Sequence, residues 1–136
     1  MRAWPALRRT QMIADTTFLI HLVREKERGI LGPARTFLAH HRAQGVRTSI
    51  ISLTEIAPSF PTTNAAWEYF KYWPVYRLHD GVAKAAADLD REVRRAGQRL
   101  GENDNWIAAF CRYYREPIIS RDEDFDRVPR LRRLQY

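Results

Sequence analysis

Short apolar segments alternate with amphipathic helical segments along most of this 136-residue chain. Residues 12–15 are apolar up to a single acid, and in residues 16–27 apolar side chains recur at the spacing of one helix face. Further segments of strand character are residues 46–51, 74–78, 118–120 and 131–136. Strands that are joined through helices run parallel, with helices on both faces of the sheet. The sequence therefore predicts one three-layer α/β domain over residues 12–136, with a central parallel sheet of four to five short strands.

The predicted helices are bounded by capping and turn residues. Asp80 and Asn103 are the expected N-caps of helices over residues 81–96 and 104–115. Ser52 is expected to open a shorter helical piece, which a nearby proline stops.

An acidic residue stands at the edge of each of four separate apolar segments. These residues are Asp15, Glu55, Asp104 and Asp122. Two of them directly follow predicted strands, and the other two are predicted in the first turns of helices. In a parallel α/β sheet all these positions share the carboxyl edge, where ligand sites form. Carboxylates gathered there would repel one another and raise each other's pKa unless a cation neutralised them, and such hard oxygen ligands suit Mg²⁺ or Mn²⁺.

Each acid also has a purely structural explanation. Asp15 could cap the helix that follows it, and Ser52 with Glu55 matches a capping box. Asp104 in a first helical turn is favoured by the helix dipole, and Asp122 could be a simple turn residue. The joint placement of the four acids favours the metal site over four independent structural roles.

The charge balance points to an acidic partner. The chain has a net charge of +7, with 20 Arg and only 3 Lys. Because guanidinium groups pair well with phosphate and carboxylate, nucleic acid or an acidic protein are the natural partners, with a solvated arginine-rich surface as the alternative. Residues 1–11 carry three of the arginines and no acid. We expect them to form a poorly ordered extension, unless Met12 is the physiological start.

Several other classes of protein are disfavoured. The longest apolar runs are only a few residues, so no membrane span is expected and a cytoplasmic location is predicted. The single cysteine, Cys111, excludes a disulfide framework and is predicted to be a buried structural thiol. Asp122, Asp124 and Asp126 begin like a calcium-binding loop, but Arg127 occupies the position that requires glycine. The aromatic residues Trp67, Phe70 and Trp73 are expected to serve packing or a dimer contact rather than base stacking.

Four segments match, in order and at suitable spacing, the motifs of one family. They are IADTTFLI with Asp15 and Thr16, SLTEIA with Glu55, NDNWIAA with Asp104, and SRDEDF with Ser120 and Asp122. Over residues 12–136 the chain resembles the PIN-domain ribonucleases, and in particular the VapC toxins of bacterial type II toxin–antitoxin pairs. The resemblance implies a PIN-like fold and a Mg²⁺- or Mn²⁺-dependent endoribonuclease that hydrolyses phosphodiester bonds.

The resemblance also implies roles for individual residues and partners. The implied catalytic residues are Asp15, Glu55, Asp104 and Asp122. The three aspartates among them would bind the metal, while the hydroxyls of Thr16 and Ser120 would orient carboxylates. The implied partners are an RNA substrate, a small VapB-like antitoxin and a second copy of the chain in a homodimer. The roles of Glu102 and Asp124 stay open.

Two rival interpretations remain. A receiver-like signalling domain also has an acidic Mg²⁺ pocket, but it needs a lysine after a late strand. Here the lysines are Lys26, Lys71 and Lys84, so this class is disfavoured. The second rival is a non-catalytic PIN-like module that binds RNA or protein, and the presence of all four acids argues against it.

Overall fold

The computed structural model describes residues 11–136, which contain a five-stranded, fully parallel sheet. The strands are β1 Met12–Ala14, β2 Val46–Ser49, β3 Val75–Tyr76, β4 Ile118–Ile119 and β5 Arg133–Leu134. Their order across the sheet is β3-β2-β1-β4-β5. The predicted parallel sheet is confirmed, whereas the prediction for residues 1–10 lies outside the described residues.

Six helices connect and cover the strands in this part of the chain. They are α1 Thr16–Arg28, α2 Pro33–His40, α3 Ile50–Ile56, α4 Thr63–Tyr69, α5 Asp80–Arg95 and α6 Glu102–Tyr114. Short 3₁₀ turns follow α3 at Ala57–Ser59 and β4 at Glu123–Arg127. None of the helices between residues 11 and 136 is both long and apolar enough to cross a membrane.

The core lies on both faces of the sheet. In β1, Ile13 packs with α5 and α6 on one face, while Met12 and Ala14 pack with α1, α2 and α3 on the other. Ile118 and Ile119 of β4 divide in the same way. Since side chains alternate across a strand, a sheet covered on both faces needs continuous apolar strands. This requirement explains why β1 and β4 contain no polar residue.

The strand order sets the place where a ligand site can form. From β1 the chain moves outward to β2 and β3, then returns to place β4 and β5 on the other side of β1. The connections therefore diverge at the carboxyl ends of β1 and β4, which leaves a crevice at that edge. Asp15 directly follows β1, and Ser120 directly follows β4.

The start of α3 differs from the prediction. Strand β2 ends at Ser49 instead of residue 51, because the Ser49 hydroxyl accepts a hydrogen bond from Ser52 N at 3.2 Å and caps a helix that begins at Ile50. Ser52 is therefore inside α3, and Glu55 lies in its last turn. The alternative structural explanation of Glu55, a capping box with Ser52, is therefore excluded, and the predicted first-turn position of Glu55 is wrong.

Two other caps also differ. His79, and not Asp80, is the N-cap of α5, because its Nδ1 accepts a hydrogen bond from Gly81 N at 3.1 Å. Helix α6 begins at Glu102 after Gly101, so Asn103 is a residue of the first turn and not the cap.

The predictions for side chains away from the acids have mixed outcomes. Cys111 is 1% exposed, and burial raises the pKa of its thiol well above the usual range, so the inert buried thiol is confirmed. Phe70 is buried, and its ring centroid lies 5.8 Å from that of Trp73, which confirms packing for these two residues. Trp67 is 39% exposed, so packing within the domain does not account for it.

Candidate active site

Asp15 is held at the end of β1 by two hydrogen bonds. It is the N-cap of α1, and its Oδ1 accepts from Phe18 N at 2.8 Å. A second hydrogen bond comes from the Ser120 side chain. The residue is only 4% exposed. Burial, followed by the negative charges of Asp104 and Asp122, raises the pKa of Asp15 to about 6, against the lowering effect of both hydrogen bonds.

Ser120 links the ends of the two central strands. Its buried hydroxyl donates to the Asp15 carboxylate and accepts from Asp122 N at 2.9 Å. In turn, the Asp122 Oδ1 atom accepts from Asp124 N at 2.9 Å and caps the 3₁₀ turn. One hydroxyl group thus fixes the position of Asp15 relative to the backbone of Asp122.

Glu55 comes from the last turn of α3 and reaches two side chains of other helices. Its Oε1 accepts from Thr16 Oγ1 at 2.6 Å, and its Oε2 accepts from Asn103 Nδ2 at 3.1 Å. The structural role that the sequence suggested for Glu55, a capping bond to Ser52, is replaced by contacts that tie α3 to the starts of α1 and α6.

Asp104 occupies the centre of the acidic group. It is the third residue of α6 and is partly buried. Burial is the largest cause of its raised pKa, followed by the charges of Asp122, Glu55 and Asp124. Because Asp104 also raises the pKa of Asp15, its carboxylate interacts with all three other predicted acids. The structure therefore brings the four acids together at the carboxyl edge, despite the wrong helix position for Glu55.

The two remaining acids near the site are placed differently. Asp124 adds negative charge at Asp104, and its carboxylate also pairs with Arg127 at 3.1 Å. Glu102 is the exposed first residue of α6. Asp124 thus contributes to the acidic field, and no contact of Glu102 with the other acids is observed among residues 11–136.

The carboxylates of Asp15, Glu55 and Asp122 accept hydrogen bonds from donors of the protein. Between residues 11 and 136 no group of three or more Asp, Glu, His or Cys side chains is arranged so that it could hold a metal ion as it stands. The donor chemistry nevertheless fits a hard divalent cation, because every predicted ligand is a carboxylate. Mg²⁺ usually keeps several waters and binds directly to only one or two carboxylates, so a looser set of acids can hold it. A cation there would also relieve the repulsion that raises the pKa values of Asp15 and Asp104.

Sequence reasoning missed three residues beside the acids. Asn103 was expected to cap a helix, yet its amide holds Glu55. Tyr136 lies close enough to Asp15 for that charge to raise its pKa, although burial is the larger cause. The Arg121 guanidinium stacks 4.4 Å from the Tyr136 ring centroid and donates to the Tyr136 carbonyl at 3.0 Å. The partners in these contacts are far apart in the sequence, so no local sequence pattern predicts them.

Solved structures with the same fold come from toxin–antitoxin complexes. DNA-bound VapBC from Salmonella typhimurium matches with a TM-score of 0.75 at 17% identity, covering 92% of this chain and 97% of that one. VapBC2 from Rickettsia felis, bound to a DNA fragment from its promoter, matches with a TM-score of 0.74 at 14% identity, covering 93% and 98%. VapBC-5 from Mycobacterium tuberculosis has a TM-score of 0.65 at 23% identity, covering 93% and 99%. At these identities the likeness shows the fold.

No curated protein sequence has a significant match to the chain. Residues 12–131, however, match the PIN domain family. This range runs from the first residue of β1 to just before β5, and it includes all four acids together with Thr16, Asn103 and Ser120. The chain therefore belongs to the PIN domain family, as its sequence motifs indicated.

Proposed function

We propose that this chain is a Mg²⁺- or Mn²⁺-dependent endoribonuclease that acts as the toxin of a toxin–antitoxin pair. The observation that carries the proposal is the group of four acids from four separate segments around Asp104, where burial and like charges raise the pKa of Asp104 itself and of Asp15. Such an arrangement is unfavourable in the absence of a cation, and perturbed carboxylates of this kind concentrate at functional sites.

The side chains have separate tasks in this proposal. Asp15, Asp104 and Asp122 hold the divalent cation, directly or through water. A cation bound there would supply positive charge beside the scissile phosphate, and it would lower the pKa of a water bound to it. Glu55 presents a carboxylate whose orientation is fixed by the donors on Thr16 and Asn103, and it orients the attacking water.

Ser120 has a positioning role. Its hydroxyl contacts both Asp15 and the backbone of Asp122, so it keeps two of the proposed ligands at a fixed separation. Arginines around the site contribute attraction for the RNA backbone, a contribution that weakens as salt rises. A cation bound by the acids would neutralise them, so that they would no longer repel the phosphodiester.

The assembly is proposed from the matched structures. VapBC complexes from Rickettsia felis, Salmonella typhimurium and Mycobacterium tuberculosis share this fold. By analogy, the partner of this chain is a small VapB-like antitoxin, and the active form is a homodimer in the cytoplasm.

Cleavage of total RNA by the purified protein tests the proposal. We expect cleavage with Mn²⁺ or Mg²⁺, none in EDTA, and a loss of at least ~100-fold in Asp104→Asn. The matched control is Asp88→Asn, because Asp88 is an exposed acid of α5 whose ion pair with Arg91 lies on the helix surface. Equal residual cleavage in Asp104→Asn and wild type would indicate a contaminating nuclease and refute the assignment.

A second candidate function is a non-catalytic PIN-like module that binds RNA or protein. It is favoured by the observation that no preformed group of metal-ligating side chains is found between residues 11 and 136. Calorimetric titration with Mn²⁺ separates the two candidates. Saturable binding that Asp104→Asn removes supports the enzyme, and RNA binding without Mn²⁺ binding or cleavage supports the module.

A further inference from the structure

An open cavity of about 650 Å³ lies at the amino edge of the sheet, opposite the acids. It is formed where the end of α6 leads into β4 and where the chain enters β5. Four arginines line it: Arg112, Arg115, Arg130 and Arg132. The proposed catalytic chemistry uses none of them.

Three of these arginines have no protein counter-charge. Arg112 pairs with Glu92 at 2.8 Å. Arg115, Arg130 and Arg132 are exposed and form no ion pair with any acid in the described part of the chain. Residues 1–10 contain no Asp or Glu that could supply one. The cavity therefore has an excess of positive charge.

Glu116 is the acidic residue in the cavity wall, and it is engaged elsewhere. Its Oε1 atom accepts a hydrogen bond from the Tyr76 hydroxyl at 2.6 Å. The Arg47 guanidinium, which stacks over Tyr76 at 5.2 Å from the ring centroid, acts on the same carboxyl group. Glu116 thus contacts Tyr76 and Arg47, and in the described part of the chain it forms no ion pair within 4 Å with any of the three exposed arginines.

The backbone of two cavity arginines is unusual. Arg115 has φ 57° and Arg130 has φ 62°, and they are the only non-glycine residues with positive φ between residues 11 and 136. The corresponding left-handed positions after α1 and α5 are glycines, Gly29 at φ 65° and Gly97 at φ 67°. A left-handed backbone is strained for a residue with a Cβ atom. Arg115 is the left-handed C-cap of α6, so arginine stands twice around one cavity at positions where glycine would relieve strain.

We propose that this cavity is a second RNA-binding site, which holds backbone phosphates through Arg115, Arg130 and Arg132. The inference rests on the proposed ribonuclease function and extends it to a substrate long enough to reach both ends of α6. Eleven residues separate Asp104 from Arg115, so the two ends are about 17 Å apart at 1.5 Å per residue. At about 3.4 Å between charges of a stacked strand, this distance corresponds to about five nucleotides.

A distant anchor suits the electrostatics of the acidic site. Four carboxylates at the carboxyl edge repel a phosphodiester until a cation is bound, so they add no affinity for RNA by themselves. Guanidinium groups match phosphate geometry and keep their charge at every physiological pH. Phosphates repeat along RNA, so separate guanidinium groups around one cavity can each take one.

RNA binding in EDTA, where no metal-dependent cleavage occurs, tests the inference. The probe is a fluorescein-labelled single-stranded RNA of about 20 nucleotides, and the readout is anisotropy at several salt concentrations. We expect Arg115→Gln with Arg132→Gln to weaken binding by at least ~5-fold and to lower the slope of log K against log salt by about 1.4, since each of the two lost phosphate contacts on a single strand contributes about 0.7. The matched control replaces Arg91 and Arg95, two exposed arginines of α5, by glutamine.

Glycine substitutions separate binding from folding. Arg115→Gly and Arg130→Gly remove guanidinium groups and relieve the left-handed backbone. We therefore expect an unchanged or higher thermal midpoint together with weaker RNA binding. A lower midpoint with unchanged RNA binding would show that the arginines serve the fold and would overturn the inference.

The remaining outcomes also decide the matter. The cavity would be rejected if the Arg115 and Arg132 double variant bound RNA as tightly as wild type, or if the α5 control weakened RNA binding equally. Both results would leave the ribonuclease proposal intact. Failure of wild type to bind RNA in EDTA would also reject the cavity, whereas the ribonuclease proposal would be rejected only by an absence of cleavage with Mn²⁺ or Mg²⁺. Arginine-dependent binding of poly-glutamate without RNA binding would identify the cavity as a protein-docking site instead.

Discussion

Asp15→Asn is expected to remove the contribution of Asp15 to the pH dependence of stability in the metal-free protein. Asparagine caps a helix as well as aspartate does, so its side-chain oxygen can still accept from Phe18 N. The substitution therefore removes the buried negative charge and keeps the local geometry. What changes is the free energy of placing that charge beside Asp104 and Asp122.

The magnitude follows from the raised pKa. The pKa of Asp15 is about 6 in the folded protein, against an ordinary value of 3.8. At 1.36 kcal/mol per unit, the difference corresponds to about 3 kcal/mol in the free energy of unfolding. Because the folded state holds the proton more tightly, this stabilisation is fully present below the ordinary pKa and is lost as pH rises through the folded pKa. Between pH 4 and pH 7 the wild-type protein should lose about 2 kcal/mol.

Urea unfolding in EDTA, followed by tryptophan fluorescence at a series of pH values, measures the effect. The relevant quantity is the difference between the two proteins, because other groups also titrate. Burial lowers the pKa of His21, for example, so protonation of His21 destabilises the folded state at low pH in both proteins. The difference curve should rise between pH 4 and pH 7 in favour of Asp15→Asn.

Two results would refute this reasoning. Parallel curves for the two proteins would mean that the folded pKa of Asp15 is ordinary, so that burial and repulsion by the other acids do not act on it. An Asp15→Asn protein that is less stable than wild type at pH 7 would mean that the ionised carboxylate stabilises the fold. Either outcome would remove the main energetic argument for a cation site.

Two further substitutions test the positioning of the acids. Ser120→Ala removes the donor to Asp15 and the acceptor for Asp122 N, so we expect a loss of about 1–2 kcal/mol in urea unfolding and a further rise of the Asp15 pKa, visible as a steeper pH dependence. Thr16→Val removes the hydrogen bond to the exposed Glu55 at nearly constant volume, so stability should change by less than about 0.5 kcal/mol, while RNA cleavage should fall by about 10-fold. Unchanged cleavage in Thr16→Val would show that the orientation of Glu55 has no part in the reaction.

The sheet and the gathering of the acids could be predicted because both depend on simple periodicity. Apolar strands separated by helices force parallel pairing, and parallel pairing brings the residues that follow β1 and β4 to one edge. Asp15 and Asp122 were therefore placed correctly from their position after a strand alone. The location of Asp104 at this edge could also be predicted, because Asp104 lies in the first turn of α6 even though the helix begins two residues earlier than predicted.

The start of α3 could not be predicted because two local signals compete. Ser49 and Ser52 are both suitable N-caps, and the β-branched Ile50 and Ile51 favour a longer strand. The tertiary structure decides, because β3 pairs with β2 only at Thr48 and Ser49, which leaves no strand partner for the isoleucines. Glu55 consequently moves to the last helical turn, and its contacts with Thr16 and Asn103 arise from packing that no local pattern encodes.

The charges of α6 distinguish a general explanation from a specific one. The helix dipole favours acids in the first turn and bases at the last, which accounts for Glu102 and Asp104 at one end and for Arg112 and Arg115 at the other. The dipole acts equally well on exposed side chains with ordinary backbone geometry. It therefore explains neither the partial burial of Asp104 among like charges nor the left-handed backbone of Arg115. Both features work against stability, and they lie at opposite ends of one helix, as the proposed reaction at one end and the proposed RNA anchor at the other would require.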